Sequence, residues 1–216
     1  MLEFLRGKGR ERKHCLFDAA CLRRIWHLLQ DVRSRQAVEV LERYADGKAS
    51  LDDLAAANEQ AEDACNPRVV KAERAARWAA SAATMRPRND PGVPSAYAAD
   101  AVTAAAKRSR SQARVAERVA QACLLRDLFG PLSFREVRLV PAWLTWNDGA
   151  VVKLAQAIYD ERILPEGLLD QSRLAILADA LEETGCDNEE ILVHFRQRDA
   201  VHVRGCWLID LILCKQ

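Results

Sequence analysis

The chain has 216 residues, half of them hydrophobic and 29% charged, with a formal net charge of +1. That balance excludes a disordered chain and a membrane-embedded one, and the length is enough for a substantial core that needs no disulfide or metal staple. The longest apolar run, Cys206 to Cys214, is interrupted by Asp210 and falls short of the roughly 18 to 20 residues that cross a bilayer.

The start, Met1-Leu2-Glu3-Phe4-Leu5-Arg6, lacks the ordered basic, apolar and small-residue regions of a secretory signal, so the expected location is the cytoplasm, with no membrane partner. Seven scattered cysteines without a CxxC pair fit reduced, buried small hydrophobes rather than a disulfide framework. Charge is unevenly placed: residues 1 to 65 carry 11 basic and 12 acidic side chains, 66 to 126 carry 12 and 4, and 127 to 216 carry 9 and 15. A middle of +8 beside a C-terminal part of −6 points to an anionic partner for the middle or to docking of the two parts.

Residues 12 to 30 space Leu16, Phe17, Ala20, Ile25, Trp26 and Leu29 as a helical stripe, and residues 32 to 46 repeat it before Gly47. Ser50, with Asp53 three residues on, reads as a capping box that opens a third helix. Asn66-Pro67 reads as the cap and first position of a fourth, ending near Arg86. Three prolines and a glycine in residues 86 to 95 mark a linker. With Ser95 as cap, an Ala-rich stretch then predicts one long helix to Phe129, stopped by Gly130-Pro131.

Residues 131 to 143 are the sole candidate for extended structure, and one strand has no partner here. Asn147 or Asp148 is expected to cap a helix over Val151 to Arg162, and further helices follow at about 172 to 184, 188 to 197 and 203 to 214. The expected fold is all-α, an irregular bundle of about eight or nine helices that could divide into two helical subdomains. The expected organisation is an N-terminal helical part over 1 to 86, a Pro-rich linker over 87 to 94, and a basic long helix with an acidic helical end over 95 to 216.

Several segments, Met1 to Gly7, Cys21-Leu-Arg-Arg-Ile-Trp26, Ala37 to Gly47, Leu124 to Gly130, Pro141-Ala-Trp-Leu144, Leu154 to Arg162, Ile176 to Glu183 and His202 to Trp207, resemble an uncharacterised, highly paralogous helical family associated with planctomycete bacteria. The resemblance spans nearly the whole chain. It implies helical architecture and a bacterial source but no activity, and where members carry cysteine this chain has Ala20 and Phe195.

Cys186, His194, His202 and Cys206 offer four zinc donors within a short stretch, the last pair at i, i+4 on one helical face. The competing expectation is a buried Cys206 beside Trp207, solvated histidines and no cofactor. His14, Cys15, Cys21 and His27 form a weaker set, because Cys15 and Cys21 point about 240° apart on a helix. Lys107, Arg110, Arg114 and Arg118 line one helical face and could follow phosphates, while Val115, Val119, Ala122 and Leu125 line another. No aromatic residue interleaves with that basic stripe for base stacking. Asp210 lies in an otherwise apolar helix and calls for a partner such as Arg23, Arg24 or Arg204. Trp26, Trp78, Trp143, Trp146 and Trp207 are expected in the core.

The phosphate-binding GxxxxGK[ST], the dinucleotide GxGxxG, HExxH and GxSxG are all missing. The sequence therefore predicts a non-enzymatic helical module for a protein partner or a second copy, with nucleic-acid binding and a zinc-stabilised domain as the alternatives.

Overall fold

A computed structural model describes residues 11 to 65, 70 to 84, 93 to 107, 109 to 130 and 137 to 215. Among these, ten α-helices and a 3₁₀ turn account for the regular structure and no strand forms, so the fold is an all-α multi-helix bundle as expected. In chain order the helices are α1 (Glu11–Arg24), α2 (Val32–Ala45), α3 (Leu51–Asp63), α4 (Lys71–Thr84), α5 (Val93–Ala105), α6 (Arg110–Phe129), α7 (Pro141–Asp160), α8 (Gln171–Glu183), α9 (Glu189–Arg196) and α10 (Trp207–Ile212). The chain forms two compact units, Met1–Ala122 and Cys123–Gln216, and the division falls inside α6.

That division corrects the expected organisation. The supposed linker lies mostly outside the described residues, but Val93 and Pro94 already belong to α5, where proline near a helix start costs no hydrogen bond. Ser95 is therefore buried inside α5 rather than capping it. Helices α4 and α5 belong to the same unit and form its most extensive helix pair. Ala76, Ala79, Ala80 and Ala83 of α4, with Ala98, Ala99 and Ala101 of α5, are fully buried, and such small side chains allow a close helix approach.

The single long helix expected over 95 to 129 is broken between Ala105 and Arg110. Ser109 supplies the reason. Its hydroxyl accepts the Gln112 N–H at 3.3 Å and its carbonyl the Ala113 N–H at 3.1 Å, an N-cap that starts α6 afresh. The helix expected over 12 to 30 also ends early, at Arg24, and continues as the 3₁₀ turn Trp26–Leu28 before Asp31 caps α2. Ser50 and Asp53 do form a reciprocal capping box, whereas Asn66-Pro67 lies outside the described residues.

Two buried carboxylates in the first unit each receive an arginine. Arg23 forks onto Glu42 at 3.1 and 2.9 Å with both side chains almost fully buried, and its guanidinium carbon lies 4.3 Å from the centre of the Trp26 ring. Arg24 holds Glu117 of α6 at 2.9 Å. Beside Glu117, Gln121 donates to the Ser95 carbonyl at 2.9 Å. The inward face of α6 is thus polar over these turns, and Val115 and Val119, on the apolar row separate from the basic one, are 63% and 59% exposed. Arg23 and Arg24 are accordingly engaged by glutamates.

In the second unit, α7 to α10 enclose a core that includes Ile158, Tyr159, Leu177, Leu181, Phe195 and Ile209. No strand occupies 137 to 140. Val137 and Leu139 pack against the core, and Pro141 starts α7 instead of ending a strand. Asn147 and Asp148 lie in left-handed conformation in a break of α7 over Trp146 to Gly149, after which the helix resumes close to the start expected at Val151. Helices α8 and α9 begin at caps made by Asp170 and Asn188, and α10 is shorter than the expected 203 to 214. Trp143 is buried as expected, but Trp78 is 44% exposed.

Two substitutions test this packing. Glu42→Ala leaves the buried Arg23 guanidinium without its fork partner and should cost about 3 kcal/mol of unfolding free energy in denaturant titration. Gly130, at φ +77°, has space for a Cβ only 3.2 Å from two ring atoms of Trp207. Gly130→Ala should therefore lower stability by about 1 to 2 kcal/mol, through left-handed strain plus displacement of that ring.

Candidate functional site

Four side chains of the second unit converge: Asp127, His194, His202 and Cys206 each present one donor atom, and the four atoms lie within 4.8 Å of one another. Asp127 sits in the last turn of α6, just before Gly130 turns the chain away. His194 projects from α9, and its ring centre lies 5.6 Å from that of Phe195, 4.7 Å from that of His202 and 5.3 Å from that of Trp207. Cys206 is the N-cap residue of α10.

His202 comes from the turn that precedes α10, and backbone bonds fix it there. Its carbonyl accepts the Leu169 N–H at 2.9 Å, Leu168 forms an isolated bridge with Val203, and the Val203 carbonyl accepts the Cys206 N–H at 2.9 Å. Asp127 closes the arrangement. Its Oδ2 accepts the Val203 N–H at 2.9 Å, which leaves Oδ1 facing the other three donors.

Four of the six separations within the cluster are 2.7 Å from His202 Nδ1 to Asp127 Oδ1, 3.2 Å from His194 Nε2 to Cys206 Sγ, 3.7 Å from His194 Nε2 to Asp127 Oδ1 and 3.9 Å from His202 Nδ1 to Cys206 Sγ. Tetrahedral zinc with O, N and S donors holds its ligands about 3.3 to 3.6 Å apart, so these edges bracket the required polyhedron. Without an ion the same atoms make a hydrogen-bonded knot in which Asp127 and His202 touch. An ion would part that pair by about half an ångström.

The electrostatics of the knot are unbalanced. Asp127 is 4% exposed, and among the described residues no lysine or arginine pairs with it. Burial lowers the His194 pKa to about 4, against an opposing pull from Asp127, so that imidazole is neutral at physiological pH. Burial, and then the Asp127 charge, raise the Cys206 thiol well above its usual value, so a metal ion must displace its proton on binding. His202 Nε2 is buried without a hydrogen-bond partner among the described residues.

The structure brings together three of the four sequence-predicted donors, His194, His202 and Cys206, and replaces the fourth. Cys186 follows Gly185 at the end of α8 and is packed in the core, its N–H bonded to the Leu181 carbonyl at 3.1 Å. Asp127 takes its place from 75 positions before His202, a distance at which local spacing carries no signal. His14, Cys15, Cys21 and His27 are not brought together as a ligand set. Cys21 is buried, and desolvation with the nearby Glu117 raises its thiol pKa.

Of the basic stripe, Lys107, Arg110, Arg114 and Arg118 are all exposed. Lys107 precedes α6, and the three arginines follow on it. Arg114 pairs with Asp100 of α5 at 2.6 Å, and Arg118 reaches Gln121 at 3.4 Å. No protein-family model, no curated protein and no solved structure matches this chain.

The His194 shift has a pH consequence in metal-free protein. The folded state holds the ring neutral down to about pH 4 while the unfolded ring takes its proton near 6.5. Protonation therefore favours unfolding, and the contribution present above pH 6.5 is lost as pH falls towards 4. Denaturant midpoints measured across that window should fall more steeply in the wild type than in His194→Gln, by at most about 1.4 kcal/mol per pH unit.

Proposed function

We propose that the protein is a non-enzymatic helical module whose C-terminal unit is stabilised by one zinc ion, bound by Asp127 Oδ1, His194 Nε2, His202 Nδ1 and Cys206 Sγ. The observation that carries this reading is the buried Asp127 carboxylate, whose neighbours among the described residues are two imidazoles, a thiol and a backbone N–H, with no cationic side chain. Burying a carboxylate without a compensating charge is costly, and a divalent cation at the centre of these donors would supply that charge. One carboxylate, two imidazoles and one thiolate form a borderline-soft set suited to zinc.

A structural role is favoured over a catalytic one. All four tetrahedral positions would be filled by protein, whereas catalytic zinc keeps one for water or substrate. The Asp127 and His202 side chains are only 4% and 2% exposed. The ion would join the end of α6, α9 and the start of α10. A helical scaffold fixed in this way suits binding to a protein partner or a second copy, which is the role read from the sequence.

Metal analysis of purified protein should find about one equivalent of zinc, and a chelator should lower the Tm. Cobalt substitution should give the absorption of a tetrahedral thiolate site. Cys206→Ser should weaken metal affinity by at least the ten- to hundredfold typical of losing an outer-shell partner, whereas Cys186→Ser should retain full stoichiometry. A metal-free preparation whose Tm is indifferent to added zinc would overturn the reading.

A further inference from the structure

The basic stripe of α6 looked unsuited to base recognition in sequence because no aromatic residue accompanies it. The fold supplies two from other helices. On α4, Lys71, Arg74 and Trp78 recur at i, i+3 and i+7 and share one face; on α5, Tyr97 and Asp100 do the same at i and i+3. These faces meet Arg110 and Arg114 of α6 around a cleft of about 480 Å³, all within the first compact unit.

The lining has an unusual composition for the surface of a helical bundle. The lining side chains sum to a formal +3, from Lys71, Arg74, Arg110 and Arg114 against Asp100, which pairs with Arg114. Trp78 and Tyr97 are 44% and 37% exposed, although both rings would be more stable buried. Exposed rings set between cations complement a ligand with flat unpaired π faces and negative charge spaced along it.

We infer that this cleft binds a single-stranded nucleic acid, with bases stacked on Trp78 and Tyr97 and phosphates held by Lys71 and Arg110. A duplex does not fit the reading, because its bases are already stacked and paired and cannot reach the two rings. A lone nucleotide fits less well than a strand, because exposed cations continue past the cleft at Lys107 and Arg118, where only a polyanion reaches them. The inference is independent of the proposed zinc site, whose residues all lie in the other unit.

The test is fluorescence anisotropy of a dye-labelled oligothymidine strand with the full chain, titrated at several salt concentrations. Trp78→Ala, at an exposed position, should weaken binding about tenfold, and Trp78→Phe should recover most of the loss. Arg110→Ala should reduce the slope of log affinity against log salt by about one. Circular dichroism of each variant reports its folding, and zinc content measured on the same samples keeps the two proposals separate. Absence of binding at low salt overturns the inference. So does duplex binding as tight as that of the strand, a Trp78→Ala variant that binds unchanged, or a free mononucleotide that competes equally at matched nucleotide concentration.

Discussion

A carboxylate taken out of water calls for positive charge close by, and three buried acids, Glu42, Glu117 and Asp127, meet that demand in two different ways. Glu42 and Glu117 of the first unit are answered by arginine guanidinium groups at 2.9 Å. Asp127 is buried as deeply but is surrounded by His194, His202, Cys206 and a backbone N–H. The difference is chemical. A guanidinium completes an ion pair with what the chain already contains, whereas neutral nitrogen and sulfur donors bring no countercharge of their own and would need a bound cation to supply it.

Local signals in the sequence carried most of the fold. Helical periodicity located the bundle; Ser50 with Asp53 and Asn188 set helix starts, while Gly130 and Gly185 in left-handed conformation set helix ends. Each acts within a few residues, which is why it is visible without coordinates. The misplaced boundaries share a cause in short-range competition between side chain and backbone. Ser109 restarts a helix that alanine content alone would have run through, and Pro94 begins one at a place where prolines suggested a linker.

The candidate site was legible only where it was local. His194, His202 and Cys206 lie within one stretch of chain and were grouped by spacing, but spacing also admitted Cys186, which the turn after α8 sends into the core. Asp127 could not be found that way, since its contact with His202 depends on how the end of α6 meets the turn before α10. The cleft on the first unit shows the same limit. Its basic row was visible, and the aromatic rings that alter its meaning stand on two other helices.

Helix α6 shows why hydrophobic patterning misleads where function and structure share an element. An ordinary surface helix buries its apolar face, yet over Val115 to Gln121 this one exposes valines and turns Glu117 and Gln121 inward. The inversion is sustained because each inward polar group has a specific partner: Arg24 for Glu117 and the Ser95 carbonyl for Gln121. Farther along, Leu124, Leu125 and Leu128 are buried, and Asp127 goes inward with them. Arg110 and Arg114 point to a solvent cleft at the other end. A helix that places cations outward and turns a paired glutamate and a buried aspartate inward cannot also keep a clean apolar stripe. Where its periodicity fails, it is because the residues there are held by polar partners instead of by the hydrophobic effect.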